Sequence, residues 1–567
     1  MIILKIKDKI HLDFVFFCKF RVYIDIGNEY QLIKVGGFHF QKHQESTIVK
    51  RGGKMSKILL TGASGYIGGH LKDKLKDQHE IIAISRNTSN KQNEENVTWK
   101  SADLFDLDEI TEVMEGIDTA IYLVHSMMPS AKLTQANFED MDALLADNFA
   151  RAAKKQGVKH IVFMSGLIPD DNHLSAHLRS RLECEKILGD YGIPVSTLRA
   201  GLIIGAKGSS YPILKRLVER LPAMVLPSWA YNMIAPVAIE DVIDGLAALV
   251  ERSPSENESI DISGPETMNY KELIQRTAKV LDKPLPMLDL PIIPIIVSRY
   301  WVQLISSVPK EMVYPLMNSL IHDMVPHDKR IVPKLSLGNI TFEDSVKRAL
   351  DEEKEENKKK AKQSSSHSKS KKEEIRDVRA ITRFEIPDGY SIKDVTTEYA
   401  RFINNITLHL VKGTINEHEF NMNVPFINKF ILKMKKDEHD SSEEMAVYRI
   451  VGGDLAHADN GGNARFEFRR LRNTNEGIIA LQEYEPTLPW VVYKLTQAKA
   501  HKTVMNIFKN RMAKLSKQKK GLGEQDMTRN IIIGVSVAVA LVAGGAGAFA
   551  LIKRNQMKKE SMSNAEL

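Results

Sequence analysis

The sequence has 567 residues, of which 43% are hydrophobic and 27% are charged, so it is long enough for two or more folded domains and has no fibrous or wholly disordered bias. Its formal net charge of +7 comes largely from a Lys-rich run and from residues beside an apolar C-terminal segment, without interleaved aromatic residues, which argues against nucleic-acid binding. The two cysteines, Cys18 and Cys184, have neither metal-ligand nor redox spacing, so we expect no metal site and a reducing, cytosolic environment.

Residues 1–54 differ from the rest of the sequence. They contain short apolar runs such as Phe14–Phe17, but not the continuous apolar region and cleavage site of a signal peptide. Met55 opens the next strand pattern at the distance expected of a native start codon, and Arg51-Gly-Gly-Lys54 is consistent with a translated ribosome-binding site. We therefore treat residues 1–54 as a leader of doubtful structure.

A glycine-rich turn follows the first strong strand pattern. The apolar run Ile58–Leu60 leads to Gly62, Gly65 and Gly68, and a helical pattern follows. Such glycines permit a tight turn, a close approach of the backbone to a pyrophosphate and close packing of helix on strand. A second strand, Glu80–Ile84, comes at the distance of a βαβ unit. The pattern predicts a dinucleotide phosphate site; a glycine turn without a ligand is the alternative.

The position after the second strand distinguishes two cofactors. An acidic residue there favours the ribose hydroxyls of NAD, whereas an arginine suits the 2′-phosphate of NADP. Arg86 occupies this position. We therefore expect NADP (NADPH) rather than NAD as the cofactor.

From Met55 onward, strand and helix patterns alternate as in a doubly wound α/β sheet. Characteristic segments are Thr61–Gly68, Asp103, Ser165, Leu198–Gly201 and Val237–Val242. With these segments, residues 55–333 resemble the atypical extended short-chain dehydrogenase/reductase (SDR) superfamily. Tyr122–Met127 and His177–Glu183 are most similar to its NmrA-like group, which also includes a nucleotide-binding accessory subunit of respiratory complex I.

The resemblance implies a fold and a set of cofactor contacts. The fold is a Rossmann domain, a doubly wound parallel sheet, over residues 55–350. The implied dinucleotide contacts are Gly62, Ser64, Gly65, Tyr66, Ile67, Gly68, Arg86 and Asp103.

The implied catalytic residues depart from the family pattern. Catalytic members carry Tyr-x-x-x-Lys on the helix after strand five, where this sequence has His177 and Arg181. Ser165 remains able to polarise a carbonyl group. Arg181 stays protonated and cannot relay a proton, whereas a histidine with an ordinary pKa near 6.5 is a conceivable substitute acid. The alternative is that His177 and Arg181 only line the cofactor pocket.

These observations are consistent with two functions, a binding module and an enzyme. The favoured one is a redox-inactive or regulatory dinucleotide-binding module. The alternative is an NADPH-dependent reductase of an apolar or membrane-derived substrate. A scaffold with a vestigial nucleotide site is disfavoured by the intact glycine turn.

The C-terminal half contains a charged run and then a second domain. Residues 351–376 are rich in Lys, Glu and Ser, which predicts a disordered linker. Within residues 377–520, Phe466 and Phe468 alternate with charged residues as in a strand, and a long amphipathic helix follows Pro489. This α+β arrangement is similar to the helix-grip, or SRPBCC-like, ligand-binding fold, which implies an apolar small molecule as a ligand of the second domain.

The last apolar segment, Ile531–Ile552, has no charged residue and is about long enough to cross a ~30 Å hydrocarbon layer. It predicts a single-pass transmembrane helix over residues 530–553, with a short tail at 554–567. We expect a membrane-anchored protein whose soluble domains face the cytosol, and a membrane protein is a conceivable partner. The Pro-rich and amphipathic residues 284–324 could cap a pocket or contact a bilayer, and ordinary packing is the simpler expectation.

Overall fold

The computed structural model describes residues 10–13, 20–25, 30–35, 55–127, 133–363, 378–427, 429–456 and 463–519. The chain divides into two compact units, Met1–Met55 and Ser56–Leu567. The first unit contains the antiparallel strands β1 (Ile10–Asp13), β2 (Phe20–Asp25) and β3 (Tyr30–Val35). The segment that we treat as a doubtful leader thus contains three paired strands, and its assignment as a leader stays a prediction.

The second unit begins with an α/β domain. Its strands are β4 (Lys57–Leu60), β5 (Glu80–Ser85), β6 (Val97–Ser101), β7 (Thr119–Tyr122), β8 (Leu133–Gln135), β9 (His160–Gly166), β10 (Val195–Ala200), β11 (Ile203–Ile204), β12 (Met224–Leu226), β13 (Met233–Ile234), β14 (Val237–Ala238), β15 (Glu258–Ile262), β16 (Met268–Asn269) and β17 (Met287–Asp289). Its helices are α1 (Tyr66–Leu75), α2 (Leu107–Val113), α3 (Phe138–Lys155), α4 (Ala176–Gly189), α5 (Tyr211–Arg220), α6 (Ile239–Val250), α7 (Tyr270–Val280), α8 (Ile295–Ser306), α9 (Lys310–Ser319) and α10 (Phe342–Gln363).

A seven-stranded parallel sheet is the centre of this domain, in the order β15-β10-β9-β7-β4-β5-β6. Its strands are runs of apolar residues because helices cover both faces. The strand order reverses between β4 and β7, where a crevice opens at the carboxyl ends of the strands. The predicted Rossmann architecture is confirmed.

The helices after the sheet form an apolar lobe. The predicted amphipathic region contains α8 and α9, and Trp301, Val313 and Met317 from these helices line a cavity shared with the sheet. Residues of this region thus cap a pocket, and contact with a bilayer stays a prediction.

The predicted linker is wrong over its first part, because residues 351–363 continue helix α10. This helix is anchored by Phe342 and Val346, which are buried in the apolar lobe. Its charged residues then find partners: Glu352 accepts from Tyr66 Oη at 2.6 Å, and Glu353 pairs with Lys215 at 2.6 Å. Composition alone predicted disorder because it does not show these contacts. Residues 364–377 lie outside the described residues.

Within the described residues, the second domain combines an antiparallel sheet with helices. Its strands are β18 (Val378–Glu385), β19 (Lys412–Ile415), β20 (Glu419–Val424), β21 (Lys429–Lys436), β22 (Met445–Gly452), β23 (Arg465–Arg470) and β24 (Glu476–Tyr484), and its helices are α11 (Ile392–Ile406), α12 (Trp490–Leu495) and α13 (Gln497–Lys519). The strands form an antiparallel sheet in the order β19-β20-β21-β22-β23-β24-β18, which is extended by β8 of the first domain in parallel with β18. The likeness to the helix-grip fold stays a prediction.

One face of the second sheet packs on its own helices. Tyr399 of α11 lies at the centre, with its ring 5.0–6.3 Å from the rings of five phenylalanines, namely Phe402, Phe420, Phe466, Phe468 and Phe508. These rings occupy the space between sheet and helices. The apolar cavity described below lies in the first domain instead, which does not favour the predicted apolar ligand of the second domain.

The other face of the second sheet packs on α3 of the first domain. Phe466 and Phe468 face the aromatic core, whereas Arg465, Glu467 and Arg469 lie on the opposite face and are at most 5% exposed. The alternation in β23 is therefore not the usual pattern of one buried and one solvated face. Both faces are buried.

Buried ion pairs join the two domains. Arg469 donates to Asp147 at 2.9 Å and to Asn148 at 2.6 Å, and it also pairs with Glu467. Burial raises the pKa of Asp147, but the charges of Arg151 and Arg469 outweigh burial and hold the pKa below its ordinary value. Asp147 is therefore ionised at neutral pH and depends on Arg151 and Arg469 for its charge balance.

The predicted transmembrane helix, Ile531–Ile552, lies outside the described residues. Among the helices within the described ranges, none is long and apolar enough to cross a membrane.

Candidate functional site

The three glycines form a tight turn between β4 and α1. Gly62 has a φ of +67°, a conformation that glycine adopts without strain, and the Gly65 N–H donates to Gly62 O at 2.8 Å. A Cβ on Gly68 would lie 2.2 Å from Gly62 O, so a larger residue there would displace the turn. Because the turn has no side chains at these positions, a ligand at the carboxyl end of β4 can approach its backbone closely.

The N-terminus of α1 begins at this turn. Gly65 is the N-cap residue and gives no side-chain cap, and the first turn contains no acidic residue. N–H groups at a helix N-terminus attract anions through direct donation and through the helix dipole. The turn and the helix end together have the chemistry of a phosphate cradle.

A groove of about 300 Å³ extends from the turn across the ends of β5 and β6. It is lined by Gly62, Ser64, Ser85, Arg86, Asp103 and Arg379, among others. The predicted contacts Gly62, Ser64, Arg86 and Asp103 therefore lie together, although they come from three loops. We call this space the groove.

Tyr66 and Ile67, also predicted to contact the cofactor, lie beside a second space. The Tyr66 hydroxyl donates to Glu352 at 2.6 Å and accepts from the Ala206 N–H at 2.9 Å. Burial and the Glu352 carboxylate raise the pKa of Tyr66, so its phenol stays protonated at neutral pH. The hydroxyl thus joins α1 to α10, and a contact of Tyr66 with a dinucleotide stays a prediction.

The second space is a cavity of about 340 Å³ with mainly apolar walls, including Met164, Trp229, Trp301 and Met317. We call it the cavity. Ser165, His177 and Arg181 all line it, so the structure brings the three predicted catalytic residues together. Ser165 is 5% exposed, and its Oγ has no hydrogen-bond partner within the described part of the chain.

The surroundings of His177 make it a poor acid. Burial, together with the charges of the neighbouring His125 and Arg181, lowers the pKa of His177 to about 3. The ring is therefore neutral at physiological pH, and the pKa near 6.5 considered from the sequence is wrong for this position. The nearest polar partner of His177 is Ser319 Oγ, 3.4 Å from Nδ1.

Arg181 is held by the backbone of the sheet. Its Nη2 donates to Met164 O at 2.7 Å, and its guanidinium lies 4.7 Å from the ring centroid of Phe163. The side chain is 5% exposed. Arg181 thus supplies a fixed positive charge beneath the cavity and links α4 to the end of β9.

Sequence reasoning missed a histidine–carboxylate pair at the junction of the two spaces. His125 lines both the groove and the cavity. Its Nδ1 lies 2.6 Å from Asp142 Oδ2, while Asp142 Oδ1 accepts from the Ser126 N–H at 2.8 Å. The Nε2 atom of His125 has no hydrogen-bond partner among the residues that the structure describes.

Asp142 is 1% exposed on α3. Burial raises its pKa, but the His125 ring and Arg181 outweigh burial and hold the pKa below its ordinary value. An ionised Asp142 therefore orients the His125 ring through the contact with Nδ1. The available signal was an aspartate that precedes the apolar run Ala143–Ala146 of α3, together with a histidine three residues after the fourth strand of the sheet.

A group with metal-ligand potential lies away from this site. Asp108, His439 and Asp440 have ligand atoms within 4.8 Å of one another. Arg449 pairs with Asp108 at 2.9 Å and with Asp440 at 2.6 Å, so a cation already balances these carboxylates.

The sequence of the first domain matches a described family. Residues 62–207 match a family model described as NAD(P)H-binding. These residues of the first domain are therefore similar to NAD(P)H-binding domains. The groove, with its glycine turn and uncapped helix end, is the part of this domain that fits a dinucleotide.

Similar proteins include the auxiliary protein GraX of Staphylococcus aureus, 35% identical over 144 residues, which are 25% of this chain and 43% of that protein. The NmrA-like family domain-containing oxidoreductase flvB of Aspergillus flavus is 24% identical over 223 residues, which are 38% of this chain and 69% of that protein. The chain thus spans less than half of GraX and about two thirds of flvB.

Among solved structures, the NADPH-dependent quinone oxidoreductase QOR2 of Escherichia coli, complexed with NADPH, is similar to 52% of this chain and 99% of its own, with 20% identity and a TM-score of 0.42.

We predict that Gly65→Val weakens the binding of both NADPH and NADH by at least about tenfold, because the side chain would occupy the approach of the pyrophosphate to the turn. Isothermal titration calorimetry measures both affinities. Gly69→Ala is the matched control, since a Cβ at Gly69 meets no atom within 4 Å. Equal binding by the Gly65→Val variant and wild type would contradict the assignment of this turn.

Proposed function

We propose that the protein is an NADPH-dependent reductase of a small apolar molecule. The observation that carries the proposal is the position of His125, which lines both the groove and the apolar cavity and is paired with buried Asp142. A substrate in the cavity would thus lie beside a proton-carrying side chain at the end of the dinucleotide site. The apolar walls favour a substrate with few polar groups.

In the proposed reaction, Ser165, His125 and Asp142 have different roles. When bound, the dinucleotide supplies the hydride that reduces an electrophilic carbon of a carbonyl, quinone or imine. Ser165 orients the substrate heteroatom by donating a hydrogen bond to it. His125 transfers its Nε2 proton to that heteroatom and is protonated again from solvent, while Asp142 stabilises the charged ring. The products are the reduced substrate and the oxidised dinucleotide.

The second candidate is the redox-inactive module favoured by the sequence. It is supported by the neutral state of His177 and by the hydrogen bonds that fix Arg181 to the backbone, since neither side chain reproduces the Tyr-x-x-x-Lys pair. The two candidates differ in whether NADPH is consumed.

The decisive measurement is NADPH oxidation with a panel of apolar aldehydes, quinones and imines. We expect oxidation above that of a Gly65→Val control. His125→Gln should lower the rate by about 10²-fold or more, the usual contribution of a general acid, with little change in NADPH affinity. His177→Gln is the matched control on the same cavity wall and should lose much less.

The dependence on pH identifies the acid. Any dependence of the rate on pH that comes from His125 should disappear in His125→Gln. It should persist in His177→Gln, because the pKa of about 3 keeps His177 neutral throughout the neutral range. Absence of NADPH oxidation with every acceptor would favour the redox-inactive module.

We also propose that NADPH is preferred over NADH through Arg86, which lines the groove after β5. A guanidinium there forms charge-assisted hydrogen bonds to a 2′-phosphate. Arg86→Ala should weaken NADPH binding by about tenfold and leave NADH binding unchanged, as measured by calorimetry. Lys91→Ala is a nearby control because Lys91 lies over Trp99, 4.8 Å from its ring centroid. A retained preference in Arg86→Ala would contradict the proposal.

A membrane anchor at Ile531–Ile552, with the other domains facing the cytosol, is part of the proposed function. An apolar face near α8 supports a membrane contact: Ile292 is 85% exposed and Leu304 is 77% exposed. Deleting the segment should release the protein from membranes and preserve NADPH binding, as measured by sedimentation and titration. Continued sedimentation in high salt would point to residues 284–324 as a second contact, and a full-length protein that does not sediment would contradict the anchor.

A further inference from the structure

The second domain contributes a residue to the groove. Arg379, near the start of β18, lines the groove together with Gly62, Ser64 and Arg86 of the first domain. The side chain is 2% exposed, although it carries a charge. A buried guanidinium needs partners, so its contacts indicate what it does there.

The contacts of Arg379 leave part of the guanidinium uncommitted. Its Nη2 lies 3.3 Å from Asp103 Oδ2 and 3.2 Å from Glu483 Oε1, and its Cζ lies 3.4 Å from the ring centroid of Phe105. Its Nε has no hydrogen-bond partner within the described part of the chain. A buried donor beside a groove is suited to an oxygen of a bound ligand.

The position of Arg379 within the groove indicates which half of a bound dinucleotide it borders. Arg86 follows β5, and Asp103 follows β6, on the side of the glycine turn where the adenosine ribose lies in a Rossmann domain. The cavity, with Ser165 and His177, lies on the opposite side. Arg379 therefore borders the adenosine half.

The second domain also holds the loop that forms this wall of the groove. Arg465 of β23 donates to Phe105 O at 2.7 Å and to Asp106 at 3.0 Å. In the parallel pair of β8 and β18, Arg379 lies opposite Thr134, which lines the groove as well. The junction of the two domains therefore runs along one edge of the groove.

We propose that Arg379 is a dinucleotide-binding residue and that occupation of the groove is coupled to docking of the second domain. The guanidinium contacts the adenosine half of NAD(P)H while its other edge stays on Asp103. Each event then stabilises the other: a docked second domain completes the binding site, and a bound dinucleotide holds β18 against the first domain. The inference rests on dinucleotide binding alone and is independent of the proposed reduction.

Arg383 provides a matched control. It lies four residues further along β18 on the same face, where it pairs with Glu183 at 2.5 Å and with Asp140 at 2.9 Å. It joins the two domains as Arg379 does but is not among the residues that line the groove. Comparing the two arginines separates a direct contact with the dinucleotide from general support of the interface.

The test measures NADPH affinity of the full chain by calorimetry. We expect Arg379→Gln to bind NADPH about tenfold more weakly and Arg383→Gln to bind within about twofold of wild type. Unchanged affinity in Arg379→Gln overturns the proposal. An equal loss in both variants also overturns it, because the effect would then come from the interface as a whole.

A second measurement does not depend on how well a variant folds. Hydrogen exchange of the wild-type chain with and without NADPH should show slower exchange in β18 and β24 when the nucleotide is bound. Unchanged exchange in both strands overturns the coupling. Arg379→Lys, which keeps the charge but lacks the planar group over Phe105, should bind with an affinity between those of wild type and Arg379→Gln, and wild-type affinity in this variant overturns the role of the guanidinium plane.

Discussion

The contact on which the described structure of Ser56–Leu567 depends is the packing of a charged sheet face against helix α3. Arg465, Glu467 and Arg469 would be solvated in an isolated antiparallel sheet, yet they are buried on the first domain. Asp147 of α3 is fully buried and is balanced by Arg469 and Arg151. Removing one member of such a pair typically destabilises a protein by about 3–5 kcal/mol, because it leaves an uncompensated buried charge. Each domain is therefore adapted to the presence of the other.

This interface lies beside the functional site. Asp147 and Asn148 of helix α3 accept hydrogen bonds from Arg469 of the second sheet, and Asp142 of the same helix pairs with His125. Asn148 also donates to Leu104 O at 2.9 Å, in the loop that lines the groove. The second domain thus supports, through one helix and one loop, both the dinucleotide groove and the candidate acid. The second domain can therefore support the site through these contacts, whether or not it binds a ligand of its own.

His177 and Arg181 stand where the resemblance to the SDR superfamily implies a Tyr-x-x-x-Lys pair. His177 and Arg181 occupy the expected helix and face the expected cavity, but a neutral ring and a backbone-bound guanidinium do not form a proton relay. The His125–Asp142 pair comes from a different strand and a different helix. If the His125–Asp142 pair transfers a proton, as we propose, the proton donor lies on a different wall of the cavity from His177 and Arg181. The predicted dinucleotide site lies at the glycine turn in either case.

The sequence by itself determined the parts that follow from local patterns. The spacing of Gly62, Gly65 and Gly68 identified the phosphate turn, because Gly62 has a positive φ and a Cβ at Gly68 would collide with Gly62 O. The apolar strand runs identified the parallel sheet, and the alternation around Phe466 and Phe468 identified a strand of the second domain. These features depend on interactions between residues close in sequence or on the period of a single element.

Tertiary structure decided the features that depend on distant partners. The charged run at 351–363 looked disordered, yet α10 is helical there because Tyr66 and Lys215 meet its glutamates. The sequence of β23 does not show whether its charged residues face solvent or the first domain. A solvated face and an ion-paired interface have the same alternating pattern. Arg379 and Asp103 are 276 positions apart in sequence, and only folding places them in one groove. Alternating charged residues predict which face of a strand is polar. Which part of the protein packs against that face depends on how the two domains pack together.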